Sequence, residues 1–220
     1  MSHLQWFFRN PRQAPRKGDS LSPLYLLRRD IETCFGIDPN TGLQMRPVDD
    51  ANHTEIYCKA IWPGTMAILT GIDLLAQFLE GSDRSGGKGN RNRKHSVSWR
   101  FKKFARKYMQ MTKEEANLIY QLRNSLLHSF SLYSEEKGQK GRIKAINYFI
   151  IYQGLEDLIV TKHEKICYIN ASCLYLRFNN AIVEYFSHLN SPSRRGYKTR
   201  IANFNKMIKK HTRFIICLNI

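Results

Sequence analysis

The sequence predicts a mainly α-helical domain with a small antiparallel sheet, at about residues 142–170, inserted before a last long helix. Three observations lead there. Apolar residues recur every three or four positions through several long segments. The one stretch dense in β-branched and aromatic residues is short and lies between Arg142 and Asn170. Recognisable helix starts and stops bracket the helical segments.

Met1 to Ser20 reads as a basic N-terminal arm, with Trp6, Phe7 and Phe8 ahead of Arg9, Arg12, Arg16 and Lys17, an order opposite to that of a secretory signal. Ser22-Pro23 starts the first main helix, in which Leu24, Leu27, Ile31 and Phe35 recur until Gly36 stops it. Asp38 to His53 is a loop rich in Pro, Gly and Asp. Trp62-Pro63-Gly64 opens a second helix, apolar enough to be central, which ends at Gly81. Residues 82–98 have the composition of a mobile basic loop. Trp99 to Gln110 is a short basic helix, and Thr112-Lys113-Glu114-Glu115 is a capping box for the next. The β-insert follows, then a long helix that Ser172 caps and that buries Leu174, Phe178, Ile182, Tyr185 and Phe186. Residues 21–190 thus form the helical domain, and 191–220 a basic C-terminal tail in which Phe214 to Leu218 could form a strand.

Composition narrows the function. A net charge of +17 on 220 residues favours a polyanionic partner, nucleic acid before membrane. The longest apolar stretch, Met66 to Leu79, carries Asp73 and Gln77 and is too short to span a bilayer. The five cysteines show no Cys-x2-Cys spacing, which disfavours a disulfide framework or zinc knuckle and fits a cytoplasmic protein.

The chemistry concentrates in the helix after the capping box. Ile119, Leu122, Leu126, Phe130 and Tyr133 are expected to make one ridge toward the core. Asn124 and His128 lie one turn apart on the opposite line, with Tyr120 and Ser131, and Arg123 stands at the border. That line lacks the Glu and Lys of an ordinary wet face and suits a surface that meets a ligand or a second copy. An always-charged guanidinium and an imidazole are what cleavage of a phosphodiester by a neighbouring hydroxyl asks for: a cation for the developing charge and a base near neutral pH. Because neither side chain lies on the ridge, both are expected to be removable without loss of the fold.

In Leu122 to Phe130 the chain resembles the HEPN superfamily (higher eukaryotes and prokaryotes nucleotide-binding), helical modules marked by an Arg, a polar residue and a following His. Arg123, Asn124 and His128 match those positions. The resemblance covers the helical parts, about 21–133 and 172–190; the β-insert and basic tail depart from the minimal pattern. It implies a HEPN-like bundle and a metal-independent endoribonuclease, a toxin or antiviral defence effector acting as a homodimer. His128 would serve as general base or acid, Arg123 would stabilise the transition state, and Asn124 would position a phosphate or hold the imidazole. The implied reaction is attack by the ribose 2′-hydroxyl, with no metal or other cofactor expected. Phosphate contacts are expected from Lys88, Arg91, Arg93 and Lys94 in the loop and from Arg194, Arg195, Lys198 and Arg200 in the tail. The dimer face would carry Tyr120, Asn124, Leu127 and His128. Two other readings stand beside this one: a nucleic-acid-binding protein without catalysis, and an interaction subunit that binds an acidic partner such as an antitoxin.

Overall fold

Ser22, Ser96 and Thr112 each accept a backbone N–H from the first turn of a helix, so three helix starts lie at residues that cap well. The computed structural model describes residues 2–13, 15, 19–43, 60–81, 96–137, 143–154 and 157–211. Their elements run α1 (His3–Phe7), α2 (Pro23–Cys34), α3 (Ile61–Glu80), α4 (Val97–Tyr108), α5 (Lys113–Ser129), β1 (Tyr133–Lys137), β2 (Ile143–Tyr152), β3 (Val160–His163), β4 (Ile166–Asn170), α6 (Ala171–Leu189) and α7 (Tyr197–His211). The mainly helical expectation holds.

α3 is the central helix, packed by α2, α4, α5, α6 and α7. Ile68, Leu69, Ile72, Leu75, Phe78 and Leu79 are all buried, each contributing about 1.5–3 kcal/mol of hydrophobic stabilisation. At Gly71 the helices approach so closely that a Cβ would stand 2.4 Å from Cζ of Phe178 on α6. Gly81 ends α3 in the left-handed conformation, at φ 63°.

The sheet corrects the expectation of an antiparallel insert. It has the order β1-β2-β4-β3, with β1 and β2 antiparallel, β3 and β4 antiparallel, but β2 and β4 parallel. The chain leaves β2 at Tyr152 and starts β3 one strand further out; β4 then fills the place between them and runs directly into α6. The sheet also begins earlier, at Tyr133, because β1 hides its strand character behind Glu135, Glu136 and Lys137. Asn147, Phe149, Cys167 and Ile169 face the core, while Tyr148, Ile150 and Ile166 face outward, the alternation a one-sided sheet requires.

Two termini of helices also differ. α6 is capped by Asn170, whose side chain accepts from the N–H groups of Ser172 and Cys173, and not by Ser172 itself. α5 stops at Ser129, with Phe130 left-handed at φ 48° and 74% exposed. The core ridge therefore ends at Leu126, and neither Phe130 nor Tyr133 belongs to it.

Both basic ends contribute to the core. Phe7 on α1 is fully buried against Phe78 and Phe204, and Trp6 donates its indole N–H to the Ser20 carbonyl at 2.9 Å. In the C-terminal segment, Phe204, Met207 and Ile208 bury one side of α7 against the body. Phe214 to Leu218, and most of the basic loop, lie outside the described residues. No helix among the described residues is long and apolar enough to cross a membrane.

Candidate active site

α5 owes its position to Ile119, Leu122 and Leu126, all fully buried. Those three side chains set the helix rotation and leave Arg123 on the flank that looks toward α3. Its guanidinium spans that gap. Nε and Nη2 both reach Oδ2 of Asp73, each at 2.7 Å. The side chains are 15% and 13% exposed, so the pair is largely out of water. Burial pushes the Asp73 carboxyl above its ordinary value, while Arg123 and then Arg100 pull it back. Arg100 is itself 2% exposed, which places a second guanidinium charge inside the body near this carboxylate.

With one edge held by Asp73, the guanidinium offers Nη1 to the motif. Nη1 donates to Oδ1 of Asn124 at 3.1 Å and lies 2.8 Å from Nε2 of His128. Arginine has no acceptor, so Nε2 must be the acceptor, and the imidazole in this arrangement is neutral with its proton on Nδ1. His128 is exposed. The structure thus brings Arg123 into contact with both Asn124 and His128. It gives Asn124 a narrower duty than expected: its amide oxygen holds the guanidinium, not the imidazole.

The end of α5 is secured by Ser125. Its Oγ contacts the Tyr133 carbonyl, accepts the Tyr133 N–H at 3.2 Å and lies 3.0 Å from Oγ of Ser131. One turn earlier, Oε1 of Gln121 accepts from Ser134 at 3.0 Å and from Asn147 at 2.8 Å. The sheet is in this way bonded to α5 on both sides of Arg123, and the motif sits on a helix clamped between α3 and β1–β2.

Asp73 and Arg100 are parts of the site that the motif does not announce. The signal for Asp73 was its isolation, a single carboxylate in the apolar run Met66 to Leu79. Arg123 also carries a structural load that its place off the ridge does not reveal, because its removal would strand a largely buried carboxylate.

The expected phosphate-binding residues fall in two groups. Lys88, Arg91, Arg93 and Lys94 lie outside the described residues. Arg194 contacts Nε2 of His188, and Arg200 donates to the Arg195 carbonyl at 2.9 Å; Arg195 and Lys198 lie at the surface beside them, exposed. None of the four stands on α5 with the motif. Of the expected dimer face, Tyr120 packs edge-on against Phe101 with Lys102 Nζ 5.1 Å from its ring centre, and Leu127 is partly exposed.

Comparison with protein-family models, with curated proteins and with solved structures finds no match for this chain.

Proposed function

We propose that this chain is a metal-independent endoribonuclease of the HEPN type, cutting RNA by attack of the ribose 2′-hydroxyl. The observation that carries the reading is the 2.8 Å contact between Arg123 Nη1 and His128 Nε2, with the guanidinium oriented from behind by Asp73. A phosphodiester entering beside Arg123 offers its oxygens as stronger acceptors than an imidazole nitrogen. As Nη1 turns to the phosphate, the Nε2 lone pair is released to take the proton of the 2′-hydroxyl. The guanidinium meanwhile stabilises the charge that grows on the phosphorane-like transition state. Protonation of the leaving 5′-oxygen completes the step, from the same imidazole or from that of a second copy. The products are a 2′,3′-cyclic phosphate and a 5′-hydroxyl end.

A homodimer through Tyr120, Asn124, Leu127 and His128 would place two such pairs across one cleft. Action as a toxin or antiviral effector, in the cytoplasm and under an acidic antitoxin, is the biological setting consistent with this chemistry.

The contact that carries this reading also favours a second: with its lone pair occupied by Arg123, His128 is not free as a base in this state, as suits a nucleic-acid-binding protein without catalysis. The test is cleavage of labelled single-stranded and hairpin RNA with chelator present, by wild type and His128→Ala. Products ending in 2′,3′-cyclic phosphate from the wild type alone support the nuclease; binding without cleavage by either selects the second reading.

A further inference from the structure

A cluster of basic side chains lies along α4 and the first half of α5, the helix that carries the motif. α4 and the first half of α5 border two hollows of about 540 and 500 Å3. The first is lined by Lys102, Lys103, Arg106, Lys107 and Lys113 with Trp99 and Asn117. The second shares Lys102, Lys113 and Asn117, so the two are continuous, and it extends to Gln121, Asn147 and Lys162. Glu114 is the one carboxylate among the residues lining either hollow. Glu80 pairs with Lys103 at 2.6 Å and Glu184 acts on Lys107, yet the cations lining the hollows outnumber these carboxylates. Lys107 shows the crowding: burial, Arg200 and Lys103 all push its amine below the ordinary lysine value.

The direction of the groove matters as much as its charge. At 100° per residue, positions 113, 117, 124 and 128 of α5 fall within about 60° of arc. Lys113, Asn117, Asn124 and His128 therefore form one stripe, about 22 Å long at 1.5 Å per residue. The lysine-rich end of the groove and the imidazole are the two ends of a single helix face. Amides from Asn117 and Gln121 line the groove, and Lys103 lies 4.5 Å from the ring centre of Trp99 at its edge. Cations in series with amides and an aromatic ring match a strand whose phosphates are continuous and whose base edges are unpaired.

We propose that the α4–α5 groove is the track of a single-stranded RNA, its phosphates held by Lys102, Arg106, Lys107 and Lys113 and its path running along α5 to His128. The destination of the path rests on the ribonuclease reading; the binding does not. An acidic protein would find the same charge but would have no use for the amides.

The test uses a fluorescein-labelled 2′-O-methyl oligouridylate, which has no attacking hydroxyl and so reports binding alone. Anisotropy titrations of the full chain across a range of KCl concentrations compare wild type, Lys102→Gln/Lys113→Gln, Arg106→Gln/Lys107→Gln and a charge-matched Lys165→Gln/Lys206→Gln control, each checked for an unchanged melting temperature. Either groove pair should weaken binding by at least about tenfold at moderate salt and flatten the slope of log K against log salt by about 1.4, or 0.7 for each cation neutralised. The control should change little. Groove variants that bind like wild type or like the control overturn the track, and so does a polyglutamate peptide that competes as well as RNA. If the groove variants lose binding as expected while His128→Ala leaves RNA cleavage intact, the nuclease reading fails and the track stands.

Discussion

Asp73 and Arg123 stand 50 positions apart in the chain, and both Nε and Nη2 of the guanidinium converge on one carboxylate oxygen, each at 2.7 Å. That grip fixes the plane in which Nη1 faces His128. Asp73→Asn keeps the size and one acceptor but removes the charge that holds the plane. It is expected to lower RNA cleavage by about tenfold to a hundredfold, the scale of an ångström-level misplacement, and to lower the melting temperature as well, because the largely buried guanidinium loses its counter-charge. Cleavage at the wild-type rate would show that the carboxylate does not orient the guanidinium.

Arg123→Ala should be costly to the fold as well as to activity. The largely buried Asp73 carboxylate loses its direct partner, and the pair is slightly exposed, so we expect about 2–4 kcal/mol of destabilisation, measured by urea unfolding. Adding Asp73→Ala to the same chain should recover part of that loss, because the stranded carboxylate is gone while the Arg100 charge stays buried beside it.

His128→Ala should separate chemistry from stability. The side chain is exposed, so unfolding free energy is expected to stay within about 0.5 kcal/mol of wild type. Cleavage should fall by about 10²–10⁴, the usual worth of a general acid–base group. A large drop in stability would mean that the imidazole serves the fold.

A second histidine predicts how stability varies with pH. His188 lies between Tyr108, whose Oη is 3.2 Å from Nδ1, and Arg194. Burial, then the Arg194 charge, hold its pKa below the ordinary 6.5. Between that lowered native value and 6.5 the unfolded chain binds more protons, so stability is complete above 6.5 and declines as pH falls through it toward the native pKa. Thermal melts from pH 7.5 to 5.5 should show a larger decline for wild type than for His188→Gln. Parallel curves would remove His188 as the cause.

Gly71→Ala sets two effects against each other. Alanine is about 1 kcal/mol better than glycine in a helix interior, but its Cβ would stand 2.4 Å from the Phe178 ring, and overpacking costs about 1–3 kcal/mol. Net destabilisation is expected in chemical unfolding, with Phe178→Leu in the same chain relieving part of it.

The sequence makes the helices legible where their signals are local. Ser22-Pro23, Gly36, Gly81 and the Thr112–Glu115 box are read by neighbouring backbone groups, and each bounds a helix as expected. The same locality brings Arg123, Asn124 and His128 together on one helix. Long-range pairing is the part that cannot be read. No spacing rule joins Asp73 to Arg123, or sets β2 parallel to β4 with β3 outside. In α7 the apolar stripe of Phe204, Met207 and Ile208 is present in the sequence, but the surrounding lysines and arginines outweigh it when charge is read first. Phe130 misleads because its spacing continues the ridge while its backbone has already left the helix.

The clamp on α5 has a consequence for what the motif is worth by itself. A synthetic peptide of residues 113–129 would contain all three motif side chains and still lack the carboxylate from α3, as well as the tethers that Gln121 and Ser125 make to the sheet. The geometry around Arg123 is therefore not portable with those residues: grafted onto another helix, the triplet would inherit the letters without the posture.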